Sequence, residues 1–142
     1  MSSAGQQLIA NRVPGERIGT TINTANSAAI TTVETIVDTV TVPLVSGRTY
    51  RITWAASILG TVANDQGIAR MREDNVAGTT LQVVRFKAPT ATNYPLRMEA
   101  EFTAVATGNK TFVVCLLREV GTLTRIGNAT QPVYLYVDYI RG

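Results

Sequence analysis

The chain has 142 residues, a length that fits one domain with a substantial core. It has no histidine and a single cysteine, which excludes Ser-His-Asp and Cys-His catalysis, an internal disulfide, and a structural zinc site built from several such ligands. Charged residues make up only 16% of the sequence and the net charge is +3, with the basic residues dispersed and almost all of them arginine. This balance gives no nucleic-acid-binding signature.

Residues 1–29 differ in composition from the rest of the chain, since they are rich in Gly, Asn and Gln and poor in large apolar side chains. We interpret them as an extended N-terminal arm ahead of a folded domain at 30–142. The arm is either disordered or ordered against a neighbouring subunit, with a part of the domain itself as the remaining alternative. Its candidate anchors are Leu8, Ile9, Val13 and Ile18.

The N-terminal residues Met1–Gly5 have neither the basic region nor the apolar region of a secretory signal, so we expect none. No apolar stretch in the chain reaches the length of a membrane span. We therefore expect synthesis in the host cytoplasm and no membrane partner.

The segment 30–42 carries apolar residues at helical spacing, but nearly all of its residues are β-branched. Such side chains lose rotamer freedom in a helix and fit a pleated surface well, so the segment predicts a strand. A bulge near Thr35 would shift its inward phase, and Pro43 would mark either its end or an edge position.

The rest of the chain reads as further strands separated by Gly, Asn and Pro turns. Apolar and polar residues alternate from Thr49 to Ile58, after a turn at 45–48. We expect a loop at 89–95 and a hairpin turn at 107–110. Further strands are predicted at 66–73, 79–88, 96–104, through Phe112, Val114 and Leu116, at 122–126 and at 133–139. About eight strands and no helix predict an all-β fold, an antiparallel β-sandwich of jelly-roll type.

Two carboxylates, Glu99 and Glu101, share the outward face of one predicted strand. Paired carboxylates can serve glycoside hydrolysis. A solvated face explains them better, with Arg70 and Arg72 of another strand as cross-strand partners. We therefore expect no enzyme.

The remaining chemistry-bearing residues favour structural roles. Acidic turns at 65–67 and 73–75 do not match a calcium loop, and no glycine-rich phosphate loop is present, so we expect no cofactor and no metal. Trp54 is expected to fill the core, and Cys115 to be a buried, inert thiol. Tyr134 and Tyr136 share one face of the last strand, opposite an apolar face, which favours a subunit interface. The residues we select for that interface are Arg70, Arg72, Tyr134 and Tyr136.

An ordered set of short segments carries a resemblance. These are Thr39–Thr41, Ser46–Trp54, Asn64-Asp65, Arg70–Asp74, Gly78–Gln82, Thr107–Val114 and Val137–Ile140. In order and spacing they resemble a family of small β-sandwich virion proteins of tailed phages that infect actinobacteria, found as head decoration proteins or as minor tail and fibre modules. The resemblance covers about residues 30–140, and it supplies no catalytic residues.

The resemblance implies a non-enzymatic virion structural protein on the particle surface. The first function it implies is that of a capsid decoration protein, which forms a homotrimer and binds the major capsid protein. Its N-terminal arm would reach adjacent capsomers. Multivalent attachment would then supply avidity. The alternative is a minor tail or tail-fibre protein that adheres to a host surface glycan, for which Tyr94 in the 89–95 loop would be a contact.

Overall fold

The structure is a computed structural model that describes residues 13–61, 64–88 and 93–142, and all regular secondary structure in these ranges is β. Nine strands follow in chain order: β1 (Arg17–Asn23), β2 (Thr35–Leu44), β3 (Thr49–Gly60), β4 (Asp65–Glu73), β5 (Thr80–Ala88), β6 (Asn93–Thr103), β7 (Gly108–Val120), β8 (Leu123–Ile126) and β9 (Val133–Arg141).

The strands form two sheets that pack as a sandwich. Sheet A has the order β1-β9-β3-β6, with the short strand β8 paired to the far half of β3. Sheet B has the order β2-β7-β4-β5, and every neighbouring pair in both sheets is antiparallel. Without β8, this alternation of the chain between two four-stranded sheets is the strand order of a jelly roll, which confirms the predicted fold class.

The strand β1 lies in the segment that the sequence assigned to the arm. It is an edge strand of sheet A, paired with β9 along its length. Gly19 allows it to approach sheet B closely, because a Cβ at this position would lie 2.3 Å from a methyl group of Val42. The eight strands of the jelly roll therefore include β1 and leave out β8, whereas the eight predicted strands included β8 and left out β1. Leu8 and Ile9 lie outside the described residues.

The predicted hairpin turn at 107–110 is wrong, because β7 begins at Gly108 and the link from β6 is the segment 104–107. β6 pairs with β3 in sheet A, whereas β7 pairs with β2 and β4 in sheet B, so this link crosses from one sheet to the other. Its Val105 is the most exposed large apolar side chain of the described residues, at 89%. Gly108, Asn109 and Lys110 are the first residues of β7 and pair with the end of β2, so the Gly-Asn-Lys signature marks the start of a strand rather than a turn.

Two proline positions illustrate the role of sheet edges. β6 begins at Asn93, so Tyr94 and Pro95 belong to a strand rather than to the predicted loop. Pro95 is tolerated because β6 is an edge strand, and Pro43 likewise lies in the edge strand β2. The predicted bulge in β2 is present as a register shift between Ile36 and Asp38.

The core lies between the two sheets and is built from their inward-facing residues. Trp54 is fully buried in it, as predicted, and so is the inward row Val133, Leu135 and Val137 of β9. Period-two alternation therefore places Tyr134 and Tyr136 on the outer face of sheet A.

Candidate interaction surfaces

The outer face of sheet A is a flat surface built from four strands. Three rows of side chains cross it, each with one residue from β1, β9, β3 and β6. The rows are Ile22, Tyr134, Ala55 and Arg97; Thr20, Tyr136, Thr53 and Glu99; and Arg17, Asp138, Arg51 and Glu101.

The first row contains an apolar strip, which we define as Ile22, Tyr134 and Ala55. Ile22 is 58% exposed and Tyr134 is 39% exposed, and the two are direct cross-strand neighbours. Adjacent exposed apolar side chains on a flat sheet are typical of the centre of a protein–protein interface. The sequence placed Tyr134 on this face, but it missed Ile22, because β1 was taken as part of the arm.

Paired charges surround the apolar strip. The Arg17 guanidinium lies over the Tyr136 ring at 3.6 Å from its centroid and contacts Asp138 at 3.0 Å. Arg97 contacts Glu99 at 2.9 Å and donates to the Tyr136 hydroxyl at 3.5 Å. These exposed pairs contribute little to stability but fix the orientation of the rim side chains.

The two glutamates of β6 take their partners from their own sheet. Glu101 contacts Arg141 at 2.9 Å and Arg51 at 3.8 Å, and Glu99 is held by Arg97. The hydrogen bond from Arg141 lowers the pKa of Glu101, whereas a glycosidase acid requires a raised pKa. Both carboxylates therefore belong to ion pairs on the outer face of sheet A.

Arg70 and Arg72 lie on the outer face of sheet B, so the predicted pairing of these arginines with Glu99 and Glu101 is wrong. Both instead contact Glu34, at 2.5 Å from Arg70 and 2.6 Å from Arg72. The hydrogen bond from Arg72 lowers the pKa of Glu34. The sequence missed this contact because Glu34 precedes β2 and reaches β4 from outside the strand pattern.

Cys115 lies in β7 next to this arginine–glutamate cluster and is fully buried. Its register partners are Arg70 in β4 and Ile36 in β2. Burial raises the pKa of the thiol to about 11, so the thiol is protonated at neutral pH. This environment is that of a structural cysteine.

The structure does not bring the four predicted interface residues together. Tyr134 and Tyr136 lie on the outer face of sheet A, and Arg70 and Arg72 lie on the outer face of sheet B. A contact between opposite faces of a sandwich, repeated from copy to copy, gives an open stack rather than a closed ring. One closed interface therefore contains at most one of the two pairs.

The other predicted site residues differ in accessibility. Val13 is 54% exposed at the start of a turn, whereas Ile18 is half-buried and packs against the core. Tyr94 also packs against the core from β6, so it is not an exposed loop aromatic.

A polar cluster that the sequence did not reveal is buried near the edge where β1 meets β2. Asp38 accepts hydrogen bonds from the Trp54 indole at 2.8 Å and from Asn23 at 3.3 Å, and it forms an ion pair with Arg125 at 3.2 Å. Arg125 is only 2% exposed and also donates to two backbone carbonyls. Burial raises the pKa of Asp38, and Arg125 opposes that shift. The cluster links the sheets, because Asp38 belongs to sheet B and Trp54 and Arg125 to sheet A.

A cavity of about 340 Å³, which we call the end cavity, opens at the end of the sandwich where β2 and β6 end and β7 begins. Leu44, Phe102 and Ala104 contribute to its apolar lining, and Val105 also lines it. At its rim the Lys110 ammonium group lies 5.4 Å from the centroid of the Phe102 ring.

Within the described ranges, no group of three or more potential metal-ligating side chains comes together. The same ranges contain no helix that could cross a bilayer.

Comparison with known proteins gives matches among solved structures only. No protein-family model matches the chain, and no curated protein matches it. Among solved structures, one described as "CBM4 structure and function" is 14% identical over 78% of this chain and 80% of its own, with a TM-score of 0.42. A carbohydrate-binding module from Cellvibrio mixtus lichenase 5A, in complex with cellotriose, is 13% identical over 87% of this chain and 88% of its own, with a TM-score of 0.42.

A chain of a solved viral particle also matches this chain at low sequence identity. The infectious bursal disease virus T13 particle contains a chain that is 10% identical over 89% of this chain, with a TM-score of 0.47. The match spans 36% of that viral chain. At these identities each similarity concerns the fold alone.

Proposed function

We propose that this protein is a non-enzymatic structural protein of a virion, a decoration protein that assembles as a homotrimer and binds the outer surface of the capsid. The proposal follows the resemblance of residues 30–140 to virion proteins. The observation that carries it is the apolar strip on the outer face of sheet A, set among charges that are already paired.

The apolar strip suits a contact between proteins. Ile22 and Tyr134 are exposed side by side, and the Arg17–Tyr136 stack adds a rigid aromatic and guanidinium rim, a composition enriched at interfaces. The neighbouring carboxylates are neutralised by arginines, which suits a surface that is covered by a partner. We therefore place the self-interface on the outer face of sheet A, which carries Tyr134 and Tyr136, and we leave Arg70 and Arg72 out of it.

Attachment to the capsid would use the N-terminal segment together with the domain. Val13 is exposed at the point where the described chain begins, and Leu8 and Ile9 precede it. Each contact of a trimer is made three times, so weak single contacts suffice for stable attachment.

The first test is the mass of the assembly in solution. Changing Tyr134→Ser should weaken self-association about tenfold or more, because an interface aromatic at the centre of a contact is lost. Val83→Ser is the matched control, since Val83 is also exposed but lies on the outer face of sheet B. Sedimentation velocity of the two variants and the parent gives the comparison. An equal effect of both substitutions, or a parent chain that stays monomeric at high concentration, contradicts the self-interface.

The second test is the copy number in the purified particle. Quantitative mass spectrometry should give a copy number comparable to that of the major capsid protein. A handful of copies per particle would refute decoration and direct attention to the alternative, a minor tail or fibre protein. A glycan contact through Tyr94 has lost its support, because that side chain packs against the core.

A further inference from the structure

We propose that the end cavity of each copy receives Leu8 and Ile9 of a neighbouring copy. The inference rests on the self-association in the proposed function and names a contact that holds the copies together. It takes Leu8 and Ile9 from the capsid contact, which then uses Val13 and the domain. Three observations carry it: the size and chemistry of the cavity, the composition of residues 1–12, and the place of the turn at 13–16.

The end cavity fits aliphatic side chains. A cavity of roughly 150 Å³ lined by apolar groups already accepts a benzene-sized molecule. The end cavity, at about 340 Å³, has room for two aliphatic side chains over Leu44, Phe102 and Ala104. Val105 at its rim is almost fully exposed and would become covered by the same contact.

Residues 1–12 match the cavity in both apolar content and charge. Leu8 and Ile9 are the only large aliphatic residues in this segment, and they are adjacent. The segment also contains one basic residue, Arg12, and no acidic residue. At the rim of the end cavity Lys110 contacts Glu73 at 2.8 Å and Asp74 at 3.1 Å, which leaves one negative charge in excess. Arg12 complements that charge.

The turn at 13–16 shows where the N-terminal segment joins the domain. Pro14 and Gly15, the latter with φ of 93°, occupy the centre of a type II turn that Glu16 closes with a hydrogen bond to the Val13 carbonyl at 3.1 Å. Gly15 also donates to the carbonyl of Tyr139, which places the turn at the end of the sandwich that carries the end cavity.

The N-terminal segment is joined to the domain at Val13, and β1 leaves this end of the sandwich towards the opposite one. We assign the occupant to a neighbouring copy, because the proposed function needs contacts that hold copies together. The cross-link below compares this contact with one inside a single chain.

Cysteine cross-linking tests the contact directly. Ile9→Cys and Val105→Cys are made in separate, differently tagged full-length chains and co-expressed, so that a disulfide between the two positions can form only between copies. We expect this disulfide in mass spectrometry several-fold above the level for Ile9→Cys paired with Val83→Cys. Thr107→Cys, also at the end cavity, replaces Val105→Cys if that variant does not fold. Cys115 is buried in every variant and does not compete.

Three results would overturn the inference. One is no cross-link above the Val83 control. Another comes from a further variant that carries both Ile9→Cys and Val105→Cys in one chain: a disulfide formed only within this chain would assign the cavity to the N-terminal segment of the same copy. The third is a Val105–Val105 disulfide without the Ile9 product, which would identify the rim of a second copy as the occupant.

A second measurement separates this contact from the proposed function. Replacing Leu8 and Ile9 with serine should shift the assembly towards monomer at least several-fold, whereas Gln6→Ser with Gln7→Ser, a polar change in the same segment, should not. If Tyr134→Ser dissociates the assembly and the Leu8/Ile9 change does not, the inference fails and the proposed self-interface stands. If the Leu8/Ile9 change dissociates the assembly and Tyr134→Ser does not, the inference stands and the proposed self-interface fails.

Discussion

The buried cluster around Asp38 allows a quantitative prediction for Asp38→Ala. This change removes the acceptor of the Trp54 indole at 2.8 Å and the counter-charge of Arg125 at 3.2 Å. Arg125 is 2% exposed, so its guanidinium cannot regain full hydration without opening the edge between β1 and β2. The variant therefore contains an unpaired buried cation and an unpaired buried N–H group.

The expected loss follows from these two groups. Breaking a buried ion pair by removing one partner costs about 3–5 kcal/mol. Arg125 keeps hydrogen bonds to the carbonyls of Ala25 and Val37, which reduces the cost, while the unpaired Trp54 N–H group adds about 1–3 kcal/mol. The two terms share one cluster and do not add in full. We expect a loss of about 4 kcal/mol in the free energy of unfolding, a large part of the 5–15 kcal/mol that is typical of a domain.

Urea denaturation followed by far-UV circular dichroism measures this loss, since Trp54 fluorescence changes with the substitution itself. The control is Arg85→Ala, which removes an exposed ion pair with Glu119 and should change stability by about 0.5 kcal/mol or less. Asp38→Ala combined with Arg125→Met should recover part of the loss, because an apolar pair replaces the unpaired charge. Equal effects of Asp38→Ala and Arg85→Ala, or a double variant that loses the full sum of the single changes, would refute the reasoning.

Three further predictions concern the outer face of sheet B and two glycines. The hydrogen bond from Arg72 lowers the pKa of Glu34 in the folded state. Glu34 therefore stabilises the fold above its unfolded pKa, and this contribution is lost as the pH falls through its folded pKa. Glu34→Gln should lower stability at neutral pH and flatten the acid limb of a pH–stability curve, and an unchanged acid limb would contradict this. Because burial raises the pKa of Cys115 to about 11, the thiol should react with iodoacetamide many-fold faster in urea than in buffer, and equal rates would show that it is accessible in the folded state. Gly121 has a φ of 81°, and a Cβ at this position would lie 1.7 Å from a carboxylate oxygen of the buried Asp65, so Gly121→Ala should lower the free energy of unfolding by about 3 kcal/mol. Gly47 has a φ of 85° but open space around it, so Gly47→Ala should lower it by about 1 kcal/mol. Similar losses for the two variants in thermal denaturation would refute the clash.

The alternation of apolar and polar residues predicted most of the strands, because each strand has one face in the core. β3 and β9 are the clearest cases, and the alternation also placed Tyr134 and Tyr136 on an outer face. β1 was missed because it shows no such alternation: it is an edge strand that carries few apolar residues, and its Gly19 lies close to Val42. The charge partners of Glu99 were predicted wrongly, because alternation gives the face of a residue but not the sheet that contains its strand.

The sequence by itself determined the all-β class, the approximate positions of most strands and the exclusion of histidine-dependent chemistry, because these depend on residue type and local period. Only the tertiary structure decided which strands are neighbours, and with them the Asp38–Arg125 pair, the Glu34 cluster, the apolar strip and the end cavity. Each of these joins residues that are far apart in the chain, for example Ile22 with Tyr134. The jelly-roll crossings between sheets that bring them together depend on the packing of the whole core, and local sequence does not encode that packing.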